Sequence, residues 1–284
     1  MRVYRASPLY PSWGPRLARW LSILPGGHAS GLVVADLEGF RMELDLGQVV
    51  DSQIYYTGVF EPRTVASINS LVDPGDSVID VGANVGFMTL LLASRVGPRG
   101  RVVAFEPTDG AWARLRRNLA LNEFPQVKAE KLAVGDADGV VARAKIQSSY
   151  RVDGKDVVAE QEFDVVTLDA YVARAAMDRL DFVKIDVDGM EPHVLRGGRE
   201  TLRLLRPALL FEIAPDWLRD VGETIGSVLG PLRALDYAFL EEGTLRPISD
   251  VEGCVARIPR HGSLNLVAVP RERAEALASR TGAA

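Results

Sequence analysis

Two short stretches place ionisable side chains where an apolar run ends. The first is "SVIDVGANVGFMT" (Ser77–Thr89), in which Asp80 is followed by Gly82, Ala83, Asn84 and Gly86. The second is "LDFVKIDVDGMEPHVLRGG" (Leu180–Gly198), which delivers Lys184, Asp186 and Asp188, then Glu191 and His193. Charged groups at the ends of buried segments are costly unless they are used. Carboxylates there can hold a cationic ligand, take a proton from a weak acid, or coordinate a hard metal. The glycines leave backbone bare and permit positive φ, so a ligand can approach closely. A helix beginning near Val85 offers free N–H groups to an anionic end. The competing reading is a tight turn of the kind any α/β protein contains.

The spacing narrows the ligand. A dinucleotide site reads G-x-G-x-x-G, whereas this loop reads G-x-N-x-G with an acid before it. Asp80 would repel a pyrophosphate and attract a sulfonium or an ammonium. S-adenosylmethionine carries both cations, plus a carboxylate. In "RVVAFEPTD", Glu106 stands 26 residues after Asp80 at the end of the next apolar run. A carboxylate in that place can accept from ribose hydroxyls. Nicotinamide-binding folds also put an acid there, and an acid also suits the start of a helix near Asp109. "PALLFEI" adds Glu212, which either faces the ligand edge or caps the helix after it.

These residues need a scaffold that brings strand ends together. Strands are predicted at Ser77–Val81, Arg101–Phe105, Val127–Val134, Phe182–Val187 and Ala208–Ile213. Helices are predicted at Val85–Val96, Asp109–Leu121, Glu191–Leu205 and Asp216–Ala234, after an earlier one at Pro62–Val72. Such alternation argues for a parallel sheet with helices on both faces. Val140–Gln147 and Glu162–Leu168 read as an inserted antiparallel pair. Tyr237–Glu242 and Leu264–Pro270 show no clear helix between them, which predicts an antiparallel sheet edge. The tail from Arg271 is polar and is expected to fray. Residues 1–60 read as an N-terminal extension, a lid or a dimer surface, holding a short helix at Arg16–Leu24 and a β-hairpin within Gly31–Leu46. Residues 61–284 read as the ligand-binding domain.

Bulk properties exclude several classes. The chain has 284 residues, with 33 Lys plus Arg against 38 Asp plus Glu and a formal net charge of −5. An acidic chain is repelled by polyphosphate, so nucleic acid is not the expected partner. Arg114, Arg116 and Arg117 are expected to form a solvated helix face. Asn118 and Asn122 on the same helix are expected to be capping and surface groups. Cys254 is the one cysteine and cannot form an internal disulfide. No run approaches the roughly 20 apolar residues needed to span a bilayer. The start, broken by Pro8, Pro11 and Pro15, does not resemble a signal peptide, so a cytoplasmic location is expected.

In combination, D-x-G-A-N-x-G, the F-E-P after the second strand, "FVKIDVDGMEPHVLRGG" and "PALLFEI" resemble the FkbM-type S-adenosylmethionine-dependent methyltransferases. "QIYYTGVFEP" (Gln53–Pro62) is similar to that family's lead-in. The resemblance spans about residues 51–270. It implies a Rossmann-like class I methyltransferase fold, with a seven-stranded, mostly parallel sheet, an antiparallel last strand and helices on both faces. It implies methyl transfer to a hydroxyl of a sugar, glycan or other natural product. The cofactor set is then Glu61, Asp80, Gly82, Ala83, Asn84, Gly86, Glu106, Pro107, Ala133 and Asp186. A hydroxyl needs a base, and the candidates are Asp188, Glu191, His193 and Glu212. The family often has Glu at the position of Asp188. Asp186, Asp188 and Glu212 could instead hold Mg²⁺, but the adjacent Asp-Asp or Asp-Asn pair is missing and no metal is expected. A catalytically inactive protein of the same fold and a nicotinamide-dependent oxidoreductase are the rival readings. The expected partner is a small-molecule or glycan acceptor, with a homodimer as the candidate assembly.

Overall fold

The computed structural model describes residues 31–147 and 158–281, so the helix expected at Arg16–Leu24 lies outside the described residues. The chain enters with a hairpin of β1 (Leu32–Leu37) and β2 (Phe40–Asp45), closed by Glu38 and Gly39. Alternation turns Phe40, Met42 and Leu44 inward. They join one apolar cluster with Ile54 of α1 (Val49–Thr57), Ile68 of α2 (Pro62–Leu71) and Leu90 of α3 (Phe87–Val96). Residues 31–60, assigned above to an extension, therefore share a core with the sheet.

The central sheet has seven strands, counting β3 (Ser77–Val81), β4 (Arg101–Phe105), β5 (Val127–Glu130), β9 (Phe182–Ile185), β10 (Ala208–Ile213), β11 (Tyr237–Glu241) and β12 (Leu264–Pro270). Their order is β11-β12-β10-β9-β3-β4-β5. The pairs β3–β4, β4–β5, β3–β9 and β9–β10 are parallel, and β12 runs antiparallel to both β10 and β11. This is the expected fold class. The chain moves outward from β3 to β5, then returns to place β9 on the other side of β3. The switch point lies between β3 and β9, and crevices outside the carboxyl ends of strands at such points hold ligands. Both strands are buried on both faces, as the apolar runs predict. Asp80 and Lys184 are register partners across this pair.

Several expected boundaries differ. The strand expected at Val127–Val134 divides. Only β5 belongs to the main sheet, and β6 (Ala133–Gly135) pairs with β8 (Val158–Thr167), which also takes β7 (Val140–Gln147) antiparallel in a three-stranded sheet and leads into α5 (Leu168–Arg174). The helix expected at Glu191–Leu205 is two, α6 (Glu191–Gly197) and α7 (Arg199–Leu205), broken at Gly198. Gly197 lies so close to the Gly135 carbonyl that a Cβ would sit 1.9 Å from it. The helix expected at Asp216–Ala234 is also two, α8 (Pro215–Asp220) and α9 (Ile225–Ala234), because Gly222 is left-handed and Thr224 with Ser227 forms a capping box. A short helix, α10 (Val251–Ala256), lies between β11 and β12. The tail is helical rather than frayed over α11 (Arg271–Thr281). Arg273 pins it by donating to the Asp181 and Leu71 carbonyls, and Arg206 pairs with Glu272.

On α4 (Asp109–Ala120), Asn118 is buried rather than a surface group. Its Oδ1 accepts from the Glu43 N–H at 2.7 Å and its Nδ2 donates to the Val85 carbonyl at 2.8 Å. It thereby ties the hairpin to the loop after β3. Arg114 departs from the expected solvated face as well, because it pairs with the buried carboxylate of Asp51 on α1.

Candidate active site

The loop between β3 and α3 is shaped by three left-handed residues, Gly82 (φ 84°), Asn84 (φ 49°) and Gly86 (φ 98°). The N–H groups of Gly82 and Ala83 both donate to the Phe105 carbonyl, at 3.0 and 2.9 Å, folding the loop over the end of β4. Gly82 can be nothing larger, because a Cβ there would stand 1.9 Å from the Asp186 carbonyl oxygen. The loop after β3 and the end of β9 are therefore in backbone contact.

Glu106 is buried at the end of β4. Its Oε2 accepts from the Asn84 N–H at 2.9 Å, and its Oε1 accepts from the Thr108 N–H and hydroxyl at 2.9 and 2.6 Å. Burial raises its pKa against the pull of these three donors. Oε2 has one donor and two lone pairs, so it retains capacity for a ligand hydroxyl. Pro107, half-buried, follows Glu106, and Ala133 lies on β6, paired with Val165.

Asp80 is fully buried. One oxygen, Oδ2, accepts from the Thr89 hydroxyl at 2.6 Å, while Oδ1 is buried without a partner. Burial raises its pKa, and the neighbouring Lys184 charge opposes that rise. Lys184 is itself buried and donates to Asp186 Oδ2 at 2.8 Å. Burial pulls the lysine pKa down, but the charges of Asp186, Asp80 and Glu61 outweigh it and raise the value overall. Glu61 reaches this cluster from the start of α2, with its backbone left-handed at φ 47°. Burial raises its pKa first, and the charge of Asp186 adds to that.

A second group of carboxyls borders the first. Glu191 is 1% exposed. Its Oε1 accepts from the Val187 N–H at 3.0 Å, and Oε2 is buried without a partner. Burial raises its pKa to about 7, even with the Val187 and Gly189 N–H groups facing it. Glu212, at the end of β10, also rises to about 7, through burial first and then the charge of Asp186, with Glu191 and Asp188 adding to it. Asp188 does not continue the strand. β9 ends at Ile185 rather than at the predicted Val187, and Asp188 is left-handed at φ 52°, so strand pleating does not align it with Lys184. Partial desolvation in the cleft and the Asp186 charge raise its pKa.

The structure thus brings Glu61, Asp80 and Asp186 around one lysine, with Asp188, Glu191 and Glu212 joined to the same cluster through Asp186. It holds His193 elsewhere. Its Nδ1 is 2.9 Å from Asp136 and its Nε2 is 3.5 Å from Glu223, and Arg196 bridges the same two carboxylates. This network fastens α6 to the turn after β6 and to the loop before α9. The imidazole of His261 lies beside Asp216. Among the described residues, no group of three or more His, Cys, Asp or Glu side chains converges to hold a metal ion.

Sequence reasoning missed Thr89, Thr108, Thr64, Glu242 and Asn265. Thr89, nine residues after Asp80, could have been found from the strand-to-helix geometry. Glu242 and Asn265 approach Thr64 across 178 and 201 residues, and no local pattern predicts that.

A family profile described as the methyltransferase FkbM domain matches residues 80–239. Methyltransferase sdnD of Sordaria araneosa is 25% identical over 218 residues, covering 64% of this chain and 83% of that protein. The 31-O-demethyl-FK506 methyltransferase FkbM of Streptomyces tacrolimicus is 26% identical over 225 residues, covering 68% and 84%. The 2-O-methyltransferase NoeI of Sinorhizobium fredii is 24% identical over 159 residues, covering 49% and 64%.

Proposed function

The chain belongs to the FkbM methyltransferase family, and from that premise we propose that it is an S-adenosylmethionine-dependent O-methyltransferase acting on a hydroxyl of a sugar, glycan or other natural product. One observation carries the cofactor assignment. A single lysine faces three carboxylates, Asp80, Asp186 and Glu61, at the switch point of the sheet, and Asp80 Oδ1 is buried with no donor. A cleft with that surplus of negative charge suits a cationic ligand, and Glu106 at the next strand end suits a ribose. The residues present therefore fit the cofactor.

When bound, S-adenosylmethionine supplies a methyl group made electrophilic by its sulfonium. The protein's part is to position, desolvate and move a proton. Glu106 fixes the ribose end, held in place by Asn84 and Thr108. Asp80, Asp186 and Glu61 attract the cationic end. Positioning of this kind is worth about 7–11 kcal/mol of a barrier when donor and acceptor are aligned. A neutral hydroxyl is a weak nucleophile, and Glu212, with a pKa near 7, is suited to take its proton at neutral pH. Asp188 stands beside it as the alternative proton acceptor. Glu191 is held by backbone N–H groups and serves to fix the loop that carries Asp188. The names of two relatives, a 31-O-demethyl-FK506 methyltransferase and a 2-O-methyltransferase, support oxygen as the methylated atom.

Calorimetric titration with S-adenosylmethionine and its demethylated product, beside NAD, tests the cofactor. Wild-type protein should bind both adenosyl ligands and not NAD. Glu106→Gln should weaken that binding about 10- to 100-fold, the cost of losing charge-assisted hydrogen bonds of about 1.5–3 kcal/mol. Absence of adenosyl binding to wild-type protein would overturn the reading. Glu212→Gln should then keep cofactor affinity and lose turnover on a panel of hydroxylated acceptors.

A further inference from the structure

The hydroxyl of Thr64 stands between two carboxyl groups. Thr64 is fully buried on α2, with Oγ1 3.1 Å from Glu61 Oε2 and 2.5 Å from Glu242 Oε1. A hydroxyl has one hydrogen and can donate to one acceptor only. Asn265 Nδ2 lies 3.2 Å from the same oxygen and 3.0 Å from Glu242 Oε1, so it supplies a donor to Thr64 and Glu242 but none to Glu61. If both carboxyls were ionised, one of the two oxygen–oxygen contacts would have no hydrogen between its atoms. In a buried site that arrangement is repulsive.

One additional proton resolves the count. With hydrogen on Glu61 Oε2, the Glu61 O–H donates to Thr64 Oγ1 and the Thr64 O–H donates to Glu242 Oε1. Glu242 is the acceptor end of the chain, because it receives Asn265 and lies 3.7 Å from Arg63 Nε. Glu61 faces Lys184 on one side and the carboxylates of Asp186 and Glu242 on the others. Its left-handed backbone, φ 47°, is strained for a residue with a side chain, and such strain is concentrated where a side chain must be held in place.

We propose that the ligand-free protein stores one proton on the chain Glu61–Thr64–Glu242, and that this proton leaves through Thr64 and Glu242 when a cationic group of the cofactor pairs with Glu61. The proposal rests on the S-adenosylmethionine reading of the cluster and assigns Thr64 and Glu242 as positioning residues behind it. The transfer breaks and forms only O–H bonds. The Glu61 proton passes to Thr64 Oγ1 while the Thr64 hydrogen passes to Glu242 Oε1, and water takes it from Glu242, whose side chain is 12% exposed. Rotation of the Thr64 hydroxyl restores the chain. Burial first, then the charges of Asp186 and Glu242, raise the Glu61 pKa against the pull of Lys184 and the Thr64 hydrogen bond, which favours the protonated form in the ligand-free state.

The test is calorimetric titration with S-adenosylhomocysteine near neutral pH in buffers of different ionisation enthalpy. Wild-type protein should release about one proton per ligand bound, and Glu61→Gln should release close to none. Binding without proton release by wild-type protein, or the same release from Glu61→Gln, would overturn the proposal. An infrared difference spectrum of the ligand-free proteins gives a second readout that needs no ligand. Glu61→Gln should lose one protonated-carboxyl band, and an unchanged band pattern also refutes the proposal. If wild-type protein binds no adenosyl ligand, the functional reading fails, while the infrared band still decides where the proton resides.

Discussion

Replacing Glu191 by Gln should stabilise this protein in mild alkali and slightly destabilise it in mild acid. Glu191 is buried, with one oxygen on the Val187 N–H and the other without a partner. Its pKa is about 7 in the fold against an ordinary value of 4.5. The sign follows from linkage. A carboxyl that holds its proton more tightly when folded carries no penalty below about pH 4.5, where both states are protonated. The penalty grows as pH rises from 4.5 to about 7 and is complete above that. At about 1.36 kcal/mol per pH unit, the full penalty is about 3 kcal/mol. Gln keeps the acceptor for Val187 and removes the charge, but it buries an amide N–H where Oε2 has no partner, at a cost of about 1–3 kcal/mol. The variant should therefore gain about 1–2 kcal/mol at about pH 8 and lose about 1 kcal/mol at about pH 5. Urea unfolding at the two pH values reads this directly, provided the transition is two-state. An equal loss of stability at both pH values would refute the reasoning, because it would mean that the Glu191 charge is not penalised by burial.

Other perturbations probe the same crevice. Gly82→Ala should cost about 3 kcal/mol or more and also weaken cofactor binding, because its Cβ would meet the Asp186 carbonyl and its φ of 84° is strained for alanine. Thermal unfolding with and without adenosyl ligand separates the two effects. Lys184→Met leaves Asp80 and Asp186 without their shared counter-charge and should cost about 3–5 kcal/mol near neutral pH. Much of that loss should return as the pH is lowered and the carboxyls take up protons, and a loss independent of pH would show that packing of the lysine stem dominates.

The strand ends that bear Asp80, Glu106, Asp186 and Glu212 were legible because apolar runs of five or six residues end in an acid, and a parallel sheet gathers such ends on one edge. The antiparallel pairing of β11 and β12 was legible for a similar reason, although α10 between them was not. Breaks inside apolar runs were less visible. The gap between β5 and β6 carries no glycine or proline, and Gly198 interrupts a helical pattern whose period continues across it. The motif names His193 but not its partners, Asp136 and Glu223, which lie in other segments and meet it only through the packing of α6.

By itself the sequence determined the fold class, the switch-point loop and the chemical character of the site, because those depend on local periodicity and on residue type at strand ends. Only the tertiary structure decided which carboxyl keeps a partner and which has none. It set Asp80 beside Lys184, lifted Glu191 and Glu212 toward neutrality by burial, and brought Glu242 and Asn265 to Thr64. Those properties depend on desolvation and on distances between residues remote in the chain, which no short stretch encodes.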